Sequence, residues 1–128
     1  MMAKFVREHV YSPAERESHL LEFIASAELL LASSVLHQQF PERVATISQC
    51  LEIGKSLART GFHQDELSTL SREWMPVLCT YRDWMPPLEQ TDEGKWREPE
   101  WYPAFEKMER RATHAAERLR QLGELHYE

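Results

Sequence analysis

FEKMERRATHAAERLRQLG, residues 105–123, decides the fold class. Phe105, Met108, Ala112, Ala115, Leu119 and Leu122 recur at alternating steps of three and four. That spacing lines one side of an α-helix. Gly123 follows the last of them and is placed to stop the helix. Glu106 and Arg110 stand four apart on the outer side, where opposite charges support a helix. Tyr102-Pro103 leads into the run.

The same period recurs upstream. Ser12-Pro13-Ala14-Glu15 carries a capping serine, a proline suited to the first helical position and the glutamate of a capping box. It predicts a helix from Pro13 to about Gln39, with Leu20, Ile24, Ala27, Leu31 and Val35 on its packed face and Glu15, His19, Glu22, Ser26, Ser33 and His37 on its polar side. Ala25, Leu29, Ala32 and Leu36 lie off that face, so this half of the helix is either central in a bundle or covered by a partner. A second copy of the chain through Ala25 to Leu36 is one such cover. Pro41 opens a second helix with the seam Val44, Ile47, Leu51, Gly54 and Ala58. Gly54 on the seam implies that another backbone comes close, and Gly61 is its stop. A third run starts near Asp65. Leu67, Leu70, Trp74, Val77, Leu78, Tyr81, Met85 and Leu88 keep phase through Pro76, which predicts one helix kinked there. The pentads at 72–76 and 82–86 repeat ten residues apart and are read as packing.

The expectation is an all-α, four-helix bundle-like single domain over residues 1–128, with a kinked third helix. Residues 1–11 form an N-terminal arm that could be strand, turn or extended chain, and the tail to Glu128 frays. A long acidic loop, residues 89–102 (EQTDEGKWREPEWY), precedes the last helix. At 128 residues the chain has room for one core, and 42% hydrophobic with 28% charged residues is ordinary globular composition.

Function classes fall away in turn. The net charge of −6 opposes nucleic-acid binding, and Arg110, Arg111, Arg118 and Arg120 are balanced by Glu106, Glu109, Glu117 and Glu124. Leu20 to Leu36 is broken by Glu22, Glu28 and three serines, too polar to span a bilayer. Residues 1–11 show no apolar signal-peptide region. Cys50 and Cys79 read as reduced thiols of a cytoplasmic protein. No phosphate loop, nucleophile elbow or zinc spacing occurs, so neither enzyme activity nor a metal or cofactor is expected. The row Glu15-His19-Glu22 reads as a solvated face, and His63 as a turn residue.

The aromatics stand out. All four tryptophans fall between residues 74 and 101. Trp96, Trp101 and Tyr102 share the loop with Asp92, Glu93, Glu98 and Glu100. Aromatic anchors ringed by acids are what a surface for a basic protein partner shows. The competing reading has the loop fold back so that its aromatics cap the bundle. A further alternative is a small enzyme or ligand-binding bundle with a pocket near the Pro76 kink, lined by Trp74, Tyr81 and Cys79.

The stretch from Phe40 to Leu88, with its Phe40-Pro41 entry, Ser48-Gln49-x-Leu51 row and Trp84-x-Pro86-Pro87-Leu88-Glu89 exit, resembles the small all-helical immunity proteins that protect bacteria from type VI secretion toxins. The resemblance covers under half of the chain and transfers no individual residue. It implies a protein–protein interaction role as an immunity or antitoxin-type inhibitor that occludes a basic toxin domain.

Overall fold

Ser12 starts the first helix as its side chain allows. Its Oγ accepts the N–H of Glu15 at 3.1 Å, and its own N–H donates to Glu15 Oε1 at 3.1 Å. The computed structural model describes residues 6–7, 11–77, 88–123 and 126–127. Four long helices dominate them: α1 (Pro13–Leu36), α2 (Pro41–Thr60), α3 (Gln64–Glu73) and α4 (Tyr102–Gln121). Each packs on its neighbours in the chain, and α4 closes back on α1, so the helices ring one core. The protein is an all-α, four-helix bundle-like structure.

The α4 seam is as its spacing requires, with Phe105, Ala112, Ala115, Leu119 and Leu122 buried and Met108 partly so. The α1 seam is rotated from the expected one. Leu20, Phe23, Ala27, Leu30 and Ser34 face the core, Ile24 and Leu31 are half-buried, and Val35 is exposed. Ser26, expected in solvent, is buried too. Its hydroxyl donates to the carbonyls of Glu22 and Phe23, at 2.8 and 3.0 Å, so it enters the core with its polarity satisfied. Leu21, Ala25, Leu29, Ala32 and Leu36 all face outward, so α1 is not central. The stretch judged too polar for a bilayer does reach that composition. Pro13–Leu36 contains an 18-residue window of mean hydropathy 1.5, of which 33% is buried in the bundle.

The α1–α2 link turns on Gln38, which takes φ +52°, while Gln39 N–H reaches back to Ser34 O at 2.9 Å. Gln39 is thereby drawn inside. On α2, Ile47, Cys50, Leu51 and Leu57 are buried. Gly54 meets side chains and not a backbone: a Cβ there would lie 3.4 Å from Phe23 and Ile24 of α1. Gly61, at φ +93°, ends the helix, and its N–H donates to Leu57 O at 2.9 Å.

α3 begins one residue before the expected Asp65. His63 is its N-cap, its N–H donating to Glu66 Oε1 at 2.9 Å. The helix breaks at Trp74, and helical backbone resumes at 75–77. Pro76 has no N–H to offer the Arg72 carbonyl, and its ring crowds that carbonyl, so the interruption falls just before it. Trp74 stays in the core, edge-on to Phe23 at 5.3 Å, with its indole N–H toward Thr113 Oγ1 at 3.3 Å. The expected continuation through Leu78, Tyr81 and Met85 lies outside the described residues, as do Cys79 and Trp84.

Gly123 stops α4 by a close approach and not by a left-handed turn. A Cβ there would stand 2.8 Å from Gln64, whose Nε2 donates to Leu119 O at 2.8 Å and so caps the helix end. Beyond it the tail does more than fray: β4 (His126–Tyr127) pairs antiparallel with β1 (Val6–Arg7) of the N-terminal arm.

Candidate functional site

The loop expected over residues 89–102 contains a hairpin. β2 (Glu89–Gln90) and β3 (Trp96–Arg97) pair antiparallel, Glu89 opposite Arg97 and Gln90 opposite Trp96. Gly94, at φ +81°, supplies the left-handed residue of the turn. Thr91 ties the turn together: its N–H donates to Lys95 O at 2.7 Å, and its hydroxyl accepts Lys95 N–H at 3.1 Å. Across the strands Arg97 stands 3.6 Å from Glu89, an exposed pair of small worth.

Pro99 divides this segment. It is fully buried while Glu98 and Glu100 on either side are exposed, so it marks where the chain passes from the exposed hairpin back into the interior. On the far side of it Trp96 stands 65% exposed, and Asp92, Glu93, Lys95, Arg97 and Glu98 of the same hairpin are exposed too. On the near side the expectation of partner anchors is corrected for two residues. Trp101 stacks flat on His37, ring centroids 3.8 Å apart and 8° from parallel, and meets Phe105 edge-on at 5.7 Å. Tyr102 is buried. Both fold back as a cap, because α4 runs antiparallel to α1 and brings its N-terminus under the end of α1. Trp96 alone of the three aromatics faces solvent.

A second polar region forms where α1 meets α4. His19, Glu22, Arg111, His114, Glu117, Arg118 and Gln121 line an open groove of about 370 Å³. The row read as a solvated face is thus partly an interhelical one. Glu22 accepts from Arg111 Nε at 2.7 Å and Nη2 at 3.1 Å, and this hydrogen bonding holds its carboxyl below the usual range. His19 is half-buried, edge-on to Tyr11. The groove's central acid is already neutralised by Arg111, and among the described residues no group of three or more His, Cys, Asp or Glu could hold a metal.

The buried Arg43–Glu109 pair was missed by sequence reasoning. Arg43 of α2 and Glu109 of α4 are 1% and 3% exposed and joined by a hydrogen-bonded ion pair, and Arg43 Nη1 also donates to Gln39 Oε1 at 3.0 Å. Burial pushes the Glu109 carboxyl up to about 7, against the pull of Arg43. A signal existed: Arg43 keeps phase with Ile47 and Leu51, and Glu109 with Phe105 and Ala112, so each charge interrupts an apolar row. The buried Cys50 thiol is pushed up to about 11, chiefly by desolvation, and is a poor nucleophile. Of the pocket expected near Pro76, Trp74 is core, and Tyr81 and Cys79 lie outside the described residues.

No protein-family model, no curated protein and no solved structure matches the chain. The fold and these two surfaces define its class, a small helical bundle bearing an acidic hairpin.

Proposed function

We propose that the protein is a non-catalytic interaction module that engages a basic protein surface through the hairpin at residues 89–98. The carrying observation is a tryptophan 65% exposed on a hairpin whose sequence carries four exposed acids, Glu89, Asp92, Glu93 and Glu98, against two exposed cations, Lys95 and Arg97. An indole left in water loses apolar hydration on docking, and tryptophan is among the residues that dominate binding energy. Asp92, Glu93, Glu98 and Glu100 steer a cationic partner toward it, raising the association rate at low salt. In the form that the resemblance implies, the partner is the active-site face of a basic toxin, and binding occludes it.

The test is affinity capture with the intact protein and two variants, Trp96→Ala and Asp92→Lys/Glu93→Lys. The partner is a protein retained by wild type at low salt and lost with both variants, while circular dichroism shows unchanged helicity. Trp96→Ala is expected to weaken binding by roughly 30-fold or more, the scale of a hot-spot tryptophan. A specific partner that both variants retain equally would place the binding surface elsewhere.

A further inference from the structure

α1 carries a second apolar row on the side opposite its core face, and we propose that a second copy of this chain covers it, α1 against α1, antiparallel across a twofold axis near Leu29. The row is Leu21, Ala25, Leu29, Ala32 and Leu36, all exposed, with Leu36 at 74%. Its steps are four, four, three and four, so Leu21 recurs at Ala32 and Ala25 at Leu36, eleven residues on. Eleven residues over three turns is close to the natural pitch, so the row runs straight along the helix for about 22 Å.

The order of sizes is the same read in either direction: large, small, large, small, large. Laid antiparallel on itself, the row sets Leu21 opposite Leu36, Ala25 opposite Ala32, and Leu29 beside its own mate. The alanines leave room for the leucines to interdigitate and for the backbones to approach. Self-complementarity of this kind is what a twofold, isologous interface requires.

Area supports the same occupant. With the exposed Val35 and Phe40 at its C-terminal end, the row offers on the order of 500 Å² of apolar surface, near the top of what a monomer carries. A standard interface takes about 800 Å² per partner, so a row of this size would supply its apolar centre and the polar margins its rim. The acids closest to its edges, Glu28 and Glu22, are held by Lys55 of α2 at 3.3 Å and by Arg111 of α4 at 2.7 Å, so neither stands as a bare charge beside the seam. A lipid surface fits less well. Helices that lie on membranes carry lysine and arginine along their margins, whereas Glu17, Glu22 and Glu28 are the charges of α1 flanking this row, on a chain of net charge −6.

Light scattering of the intact protein over a concentration series tests this. Wild type should show twice the 15.1 kDa chain mass. Leu29→Glu and Leu29→Lys should each shift to the single-chain mass with helicity retained, and mixing the two should restore the double mass, because opposite charges then meet at the axis. Leu36→Glu, at a more exposed position, reads the same interface should a change at Leu29 impair folding. Trp96→Ala should keep the double mass, which separates this interface from the hairpin's partner. A wild-type protein of single-chain mass at every concentration overturns the proposal, as does a dimer that survives both changes at Leu29. Flotation of wild type, but not Leu29→Glu, with phosphatidylcholine vesicles would assign the face to lipid instead and also overturn it.

Discussion

Two arginine–glutamate pairs tie α4 to its neighbours, and they sit in opposite surroundings. Arg43–Glu109 joins α2 to α4 at 1% and 3% exposure. Arg111–Glu22 joins α1 to α4 at 45% and 49%. The chemistry is the same and the physics is not. The inner pair has given up its hydration, so each partner depends on the other and on Gln39. The outer pair exchanges one set of water contacts for a modest Coulomb gain that salt screens. The inner charges hold the helices in register, and the outer ones merely decorate their junction.

Breaking the inner pair is the strongest challenge to this comparison. Glu109→Ala should cost about 3–5 kcal/mol in urea denaturation, because the buried Arg43 guanidinium loses its hydrogen-bonding partner in the core. Arg43→Met/Glu109→Leu together should recover most of that loss, since no uncompensated charge remains. A single variant as stable as wild type would show that water reaches the pair.

The pH dependence sharpens the contrast, since the two glutamates shift in opposite directions. Glu109 in the folded protein keeps its proton up to about 7, against 4.5 unfolded, so its contribution is full below 4.5 and is lost as pH rises to about 7. Glu22 is lowered, so its contribution is present above 4.5 and disappears as the medium is acidified below that. Melting temperatures across pH 3 to 8 should show the first slope vanish in Glu109→Gln and persist in Glu22→Gln.

The smallest effect belongs to the outer pair. Arg111→Ala should change stability by less than about 1 kcal/mol, and that difference should shrink as sodium chloride is added. A larger, salt-resistant loss would mean that the arginine's stem, and not its charge, packs the α1–α4 junction.

What could be read before the structure follows from how much alternative each residue had. The α4 row was legible because its other faces are charged, leaving one side to bury. The α1 face was misread by one row because apolar residues surround that helix, and periodicity alone does not choose among several greasy sides. Ser26 and Ser34 entered the core, and the first satisfies its hydroxyl on its own helix, an option that composition hides. Arg43 and Glu109 interrupted their apolar rows visibly, yet pairing them required knowing that α2 and α4 face each other. Among the loop aromatics, neighbours in sequence gave no hint that Trp101 would lie on His37. That stacking depends on two helix ends more than sixty residues apart.

Pro99 carries a consequence for redesign. Pro99 is buried, whereas residues 92–98 are exposed and Thr91 is half-buried, so residues 91–98 make little contribution to the interior. Their letters could be rewritten, or a foreign epitope spliced at Gly94, without asking the helices to find a new arrangement.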